Sequence, residues 1–505
     1  MTPASTAFTG ETSLSEESNL SDGAARGLAF LSINASGGPV YLGPASGFSW
    51  ARTVLGGMLG EEAGARRGDP MGAERGLGGG RIPSVSTPSS ASGGGSNGSA
   101  SGIGGIARRG DLAALDRDPF IKRVGTTHSL AVTLPPLPNN ALDGVSPEIS
   151  AIVLTACYRH FQPRYPFLDW LAMHDYWARR DEILKAAGQP NPPKDASTGA
   201  FFIWMLFALG SRLCVKSQLP LAAPEAYYQK AMDHLETIVG LHNLANVQAL
   251  LLMVMYSLRS SEAPSTWYLT GIIVRLCISL GLHRDLPPAR ARHMSAYYLQ
   301  MRRRIFWSAY TVDRMLSMTL GRPPNIADED IDASMPLDVS DVATEPTAEN
   351  VAEGGPSTSM TSAIHYIKLK RIESRIQRVV YRVDRLSTEP PDSLLREIDE
   401  WERDIPNEAG RPDCWSVPMC SRDWFLLKSV EARMYLLRPV TADTTGPSYY
   451  NAVVARAAAE ACELQCVRHS LCVSLGLTRA TGSDCTSNQQ LQHPLRACAL
   501  SSYVV

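Results

Sequence analysis

The chain has 505 residues, with 48 basic and 50 acidic side chains and a formal net charge of -2. That balance lacks the positive field that neutralising a phosphate backbone demands, so DNA binding by this chain alone is disfavoured. The ten cysteines begin only at Cys157 and are scattered through apolar helical patterns, which reads as reduced, buried thiols and excludes a disulfide framework.

Gly and Pro number 40 and 34, and many of them fall in the first 145 positions. Residues 1–26 are rich in Ser, Thr and Glu, and residues 56–118 are dominated by Gly, Ser and Arg, including ASGGGSNGSASGIGG. Neither tract buries enough apolar surface to offset chain entropy. Between them lies an island, residues 27–55, where Phe30, Leu31, Ile33, Tyr41, Leu42, Phe48 and Trp50 suit a tethered segment that docks on a folded body. The first residues have neither a basic nor an apolar stretch of the kind a secretory signal needs. The longest apolar run, Ala200 to Leu209, is about half of a bilayer span. A soluble, intracellular chain is expected.

From Ser146 the pattern turns helical. Ser146 is placed as an N-cap and Pro147 as a first-turn proline, and Ile149, Ile152, Val153, Ala156, Cys157 and Phe161 follow at helical spacing until Pro163 and Pro166 end the segment. The next helices are apolar on nearly all faces, as expected inside a large bundle: AFFIWMLFAL from Ala200, YYQKAMDHLETIVG opened by Pro224, and VQALLLMVMYSL behind Asn246 as a cap. WYLTGIIVRLCISL follows Pro264 and meets Gly281 where a left-handed C-terminal cap is wanted. YYLQMRRRIFWSAYTVDRMLSM carries Ile305, Phe306, Ala309, Val312 and Leu316 on one face. After an acidic loop, stripes recur at Ile372, Ile376, Val379, Val380, Val383 and Leu386, at Leu394, Leu395, Ile398 and Trp401, and at Phe425, Val430, Met434 and Leu437. There is no convincing alternating strand and no fixed-period repeat. The fold class is all-α: a large irregular helical bundle preceded by a disordered Gly/Ser-rich N-terminal region.

Catalytic-looking strings fail on context. His283-Arg284-Asp285-Leu286 copies the start of a kinase catalytic loop, yet Arg290 stands where the metal-binding Asn belongs. Gly94 to Gly98 matches a nucleophile elbow, and Gly102, Gly104 and Ala107 match a dinucleotide fingerprint, but both lie in Gly/Ser sequence with no preceding strand. Cys414 and Cys420, then Cys462, Cys466 and Cys472, lack the two CxxCx6C-like halves of a binuclear zinc cluster. No catalytic, cofactor or metal residue is therefore expected. The basic run Lys368, Lys370, Arg371, Arg375, Arg378, Arg382 and Arg385 lacks a recognisable groove-reading motif and reads as a solvated helix face. Arg302, Arg303 and Arg304, being mid-helix, are expected to pair with carboxylates such as Asp313 or Asp330.

Residues 247–336 carry a series of strings in fixed order: QALLLMVMYSL, WYLTGIIVRLCISLGLHRD, then MRRRIFWSAYTVDRMLSMTLGRPPNIADEDIDASMP. This stretch resembles the middle homology region of fungal zinc-cluster transcription factors. YPFLDWLAMHDYW, MYLLRPV and YLGPASGFSW extend the resemblance from Tyr41 to Pro439, and SLRSSEAPSTWYLTG is similar in tone to regulators of nitrogen or purine utilisation. The signature residues are Gly281, Leu282, His283, Arg284, Asp285, Arg303, Arg304, Phe306, Trp307, Tyr310, Asp313, Arg314, Gly321, Arg322, Pro323, Asp330 and Asp332. Physically they look structural: Gly281 as a cap, the aromatics as buried area, and Arg322 as a loop anchor bonded to Asp328, Asp330 or Asp332.

The resemblance implies a nuclear regulator of transcription by RNA polymerase II, not an enzyme. In the family an N-terminal zinc cluster reads DNA, a short coiled coil dimerises the protein, and the middle domain restrains or transmits activation. Here no cysteine precedes Cys157, so the family's zinc, and the DNA contact it organises, are expected on a missing head or on a partner transcription factor. Whether the sequence is a truncated gene model or a cluster-less regulator stays open. The expected partners are transcriptional co-regulators and a second chain as homo- or heterodimer, with no membrane. The expected domains are residues 1–145 as N-terminal region and linker, 146–480 as the regulatory domain, and 481–505 as a disordered or aberrant tail. A helical ligand-sensing or protein-interaction module without a transcriptional role is the alternative.

Overall fold

The computed structural model describes residues 29–32, 39–42, 142, 145–214, 219–260, 263–340, 358–381, 390–406 and 421–441, with isolated positions between 450 and 459. The Gly/Ser tract, Phe48, Trp50, the cysteines from Cys414 onward and the C-terminal tail lie outside the described residues.

Two short strands, β1 (Ala29–Ser32) and β2 (Pro39–Leu42), pair antiparallel with Phe30 opposite Tyr41 and Leu31 opposite Val40. The hairpin stands apart in sequence from the helical body, which bears out the all-α reading. Four residues are too few to display a period, and Pro39 is tolerated at a first strand position because its missing N–H costs no ladder bond there.

Everything else with regular structure is helical. α1 (Pro147–Phe161) starts as the sequence demands: Ser146 Oγ accepts from Ile149 N at 3.3 Å, and Pro147 occupies the first turn. α2 (Trp170–Ala178) and α3 (Arg180–Ala187) lead to α4 (Lys194–Leu213), which is buried along its length from Ser197 to Ser211. α4 is long and apolar enough to cross a membrane by length and composition, yet 89% of its apolar window is buried inside the fold. It crosses α1 closely at Gly210, where a Cβ would stand 2.5 Å from Val153 Cγ1, so any larger residue would push the two helices apart.

The segment opened by Pro224 divides into α5 (Pro224–Met232) and α6 (Leu235–Val239). α7 (Leu244–Ser257) is capped by Asn243, not by Asn246. Asn243 Oδ1 accepts from Asn246 N at 3.2 Å, and Asn246, already inside the first turn, donates its side chain to Val239 O. α8 (Thr266–Ser279) and the four-residue α9 (Pro288–Ala291) precede the longest helix, α10 (Ala296–Leu320). α11 (Thr361–Val380), α12 (Pro391–Arg403) and α13 (Arg422–Thr441) complete the described body. α12 turns Leu394, Leu395, Ile398 and Trp401 inward, the stripe read from the sequence.

The core is built as two clusters, one from α1 to α10 with Ile367 of α11, and a second from α11 to α13 with Met318 of α10. Polar chemistry joins them. The Arg164 guanidinium lies 5.0, 5.3 and 5.5 Å from the ring centroids of Tyr165, Tyr366 and Trp424. Nearby, Lys370 Nζ pairs with Glu373 Oε2 at 2.6 Å, both side chains almost fully buried. Burial alone would lower the Lys370 pKa, but the Glu373 carboxylate outweighs it and holds the ammonium above its ordinary value.

Candidate functional site

The signature strings converge on α10. Ser295 opens it, its Oγ accepting from Tyr298 N at 3.2 Å, and Gly321 closes it in the left-handed region at φ 64°. Arg322 N then reaches Ser317 O at 2.9 Å and Gly321 N reaches Met318 O at 3.3 Å, the paired bonds of a Schellman end. α8 ends by the same device. Gly281 sits at φ 63°, with Leu282 N to Cys277 O at 2.8 Å and Gly281 N to Ile278 O at 3.0 Å. Leu282 and Cys277, both buried, supply the apolar contact that accompanies this end.

Arg314, on the buried side of α10, is the hub of the site. Its Nη1 donates to Asp313 Oδ2 at 2.6 Å, Nη2 to Ile326 O at 2.7 Å and Asp328 Oδ1 at 3.0 Å, and Nε to Ser374 Oγ at 3.0 Å. The guanidinium carbon stands 4.2 Å from the Tyr310 ring centroid. Tyr310 Oη and Ser374 Oγ both donate to the Asp328 carboxylate, at 2.8 and 2.5 Å. Asn325 fastens the other carboxylate, its Nδ2 donating to Asp313 Oδ1 at 2.6 Å and its backbone N to Asp313 Oδ2 at 3.1 Å. One side chain thereby ties α10, the loop after Gly321 and α11 together.

The carboxylates feel opposite environments. Burial pushes Asp328 up, but the Arg314 charge and the bonds from Ser374, Tyr310 and Arg314 outweigh it, leaving this carboxyl below its ordinary value. For Asp313, burial wins against Arg314 and Asn325 and leaves the pKa raised.

A second constellation lies at the surface. His283 O accepts from Asp332 N at 3.2 Å and from Ala333 N at 3.1 Å, stitching the LGLHRD turn to the DIDAS strand-like segment. Asp332 accepts from Asp285 N at 2.9 Å and pairs with Arg284 Nε at 2.8 Å. Asp285 pairs with Arg303 Nη2 at 3.3 Å and accepts from Ser334 Oγ. Arg302 Nη2 donates to Gly281 O at 2.7 Å, and Trp307 Nε1 to Ser334 O at 2.9 Å. Phe306, Trp307 and Tyr310 stack edge to face beneath, with centroids 5.4 and 5.0 Å apart.

Several expected pairings are redistributed. Arg302, Arg303 and Arg304 do not take Asp313: it belongs to Arg314, while Arg302 bonds a backbone carbonyl, Arg303 takes Asp285, and the buried Arg304 reaches Ser340 O at 3.5 Å. Asp328, offered to Arg322, is held by Arg314. Arg322 lies 4.9 Å over the Trp267 ring, and its carbonyl accepts from Gln377 Nε2 at 2.6 Å. Pro323 is exposed, and Asp330 closes the short 3-10 turn Asp328–Asp330 at the surface. The reading of α11 as a solvated basic face fails at Lys370, which is buried. Arg375 pairs with Glu397 and Arg378 with Glu329, while Val383 and the last basic positions fall outside the described residues. Sequence reasoning missed Ser374, Asn325 and Ser334. Ser374 lies 60 residues from the arginine it serves.

Cys157 and Cys277 are buried, and burial pushes Cys277 up to about 12 and Cys157 higher still. Among the described residues no cluster of three or more His, Cys, Asp or Glu is placed to hold a metal.

Residues 158–403 match the fungal specific transcription factor domain. The chain is similar to Protein STB5 of Saccharomyces cerevisiae, 31% identical over 36% of this chain and 25% of that protein. It is also similar to the Positive regulator of purine utilization of Emericella nidulans, 24% identical over 70% of this chain and 34% of the relative. The Pyrimidine pathway regulatory protein 1 of Saccharomyces cerevisiae is 28% identical over 42% of this chain and 23% of the relative. The aligned parts thus span between 23% and 34% of these relatives' own lengths. No solved structure matches the chain.

Proposed function

We propose that this chain is the regulatory part of a fungal regulator of transcription by RNA polymerase II, acting in the nucleus. The observation that carries the reading is that the domain match over 158–403 coincides with a signature whose polar residues lock α10, its following loop and α11 into one scaffold. Residues 146–480 are the regulatory domain in this reading. DNA contact belongs to a zinc-cluster head on another segment or to a partner transcription factor, because the chain has a formal net charge of -2 and Arg314, Arg375 and Arg378 are held by carboxylates within the fold. Zinc belongs with that head, and the domain itself works without a cofactor and without catalysis. Co-regulators and a second chain are its partners. The relative named as a regulator of purine utilization, aligned over 70% of this chain, supports a target set in nitrogen or purine metabolism.

The test fuses the full chain to a heterologous DNA-binding head and measures a reporter. A severalfold change in transcript relative to the head alone is expected, with the fusion in the nucleus. A folded fusion that leaves the reporter at the level of the head alone would replace this reading with a binding module that has no transcriptional role.

A further inference from the structure

The surface constellation encloses a depression between the turn after α8 and the start of α10. Leu282, Leu286, Ala291 and Leu299 form an aliphatic floor, and Arg284, Arg302 and Arg303 stand among the residues around it. Its volume is about 90 Å³, far below the roughly 300–1,000 Å³ of ordinary small-molecule sites. It is sized for one inserted side chain rather than a whole metabolite. No aromatic ring lines it, so it offers a nucleobase no stacking platform.

Charge selects the occupant. Arg284 pairs with Asp332 only through Nε, and its side chain is 59% exposed; Arg303 reaches Asp285 only through Nη2. A guanidinium carries five N–H donors, so each keeps donors beyond those pairs. Arg290 and Arg292, both exposed, flank Ala291 of the floor. Three arginines, 284, 302 and 303, thus line the depression and the exposed Arg290 and Arg292 adjoin its Ala291 in sequence, against Asp285 in the lining and Asp332 paired with Arg284. Arginine forks match carboxylate oxygens in geometry as well as charge, and a surface of one sign steers an oppositely charged partner to it.

We infer that this depression docks an acidic segment of a partner protein, which inserts one large apolar side chain between Leu282, Leu286 and Leu299 and lays flanking Asp or Glu carboxylates on Arg284 and Arg303. The inference rests on the regulatory reading for its purpose, since it names the chemistry of that regulator's partner. The binding itself is measured on purified full chain, so its failure is distinguishable from failure in the reporter.

The probe is a short fluorescent peptide with one leucine between runs of aspartate and glutamate, titrated by fluorescence anisotropy at physiological salt. Saturable binding is expected. Replacing the peptide's leucine with serine, or introducing Arg284→Glu into the chain, should each weaken it about tenfold. Ala291→Phe, which fills the floor from a half-exposed position, should do the same while circular dichroism stays unchanged. The peptide-side change needs no protein variant, so the test stands even if a substituted chain fails to fold. Equal binding of the leucine and serine peptides would overturn the inference by reducing the site to unspecific attraction. Displacement of the peptide by a single-stranded oligonucleotide that binds more tightly would overturn it in favour of nucleic acid.

Discussion

Two constellations drawn from the same signature, an arginine and an aspartate apiece at their centres, behave differently because one is buried and the other is wet. The Arg314–Asp313 pair has both side chains at 0% exposure, whereas Arg284 and Asp332 are 59% and 53% exposed. Removing one partner of a buried pair strands the other without water. An exposed pair gains little Coulomb energy over hydration and contributes about 0–1 kcal/mol. The same residue types at similar separations thus build a lock in one place and an adaptable surface in the other.

The largest effect is expected at the lock. Arg314→Ala leaves Asp313, Asp328 and Ile326 O without their shared donor and should cost about 3–5 kcal/mol, read by chemical denaturation of the full chain. Next come the helix ends. Gly281 has φ 63° and open space where a Cβ would go, so Gly281→Ala meets only the left-handed backbone penalty of about 1–2 kcal/mol, which thermal melting resolves. A larger loss there would mean that the turn, too, is tightly packed.

Acid provides a third way to sharpen the contrast. Asp328 is held below its ordinary value, so its contribution is complete above the unfolded carboxylate pKa of about 4 and is lost as pH falls through the lower folded value. Asp313, held above its ordinary value, contributes the opposite sign and gains as pH falls, which partly masks the loss. Stability measured from pH 6 downward should decline below about pH 4, and the decline should be shallower in Asp328→Asn. The smallest stability effect belongs to Arg284→Ala, within about 1 kcal/mol of the parent chain.

The helix ends were legible because their chemistry is local. A left-handed residue after an apolar run calls for glycine, and Gly281 stands there; Gly321, named only as a signature residue, closes α10 the same way. Ser146 likewise announced α1. The lock was legible only in part. Tyr310 and Arg314 are four residues apart and share a helix face, but the sequence reading named an anchoring role only for Arg322, in the loop beside the aspartates, and did not single out Arg314 as a hub. Arg314 faces α11, where Ser374 completes the site, and no local pattern reveals a partner 60 residues away. Lys370 was misplaced for a similar reason. Counting charges along α11 hid the fact that Tyr366 and Glu373, one turn to either side, carry it into the core.

DNA affinity tests the division of labour from outside the lock. With a formal net charge of -2, the purified chain should bind duplex DNA weakly, with strong salt sensitivity and no preference for a CGG-containing duplex over a scrambled one. A preference of roughly tenfold or more at physiological salt would place a DNA-reading element within this chain.

The central claim is that the buried constellation holds the scaffold while the exposed one serves a partner, and Arg314→Ala against Arg284→Glu tests it most directly. Both variants of the full chain, fused to the same heterologous DNA-binding head, are melted and assayed on the same reporter. The account predicts that Arg314→Ala lowers the melting temperature by roughly 5 °C or more, while Arg284→Glu melts with the parent and alters the reporter. An Arg314→Ala chain that melts with the parent, or an Arg284→Glu chain that melts early and leaves the reporter unchanged when folded, would contradict it.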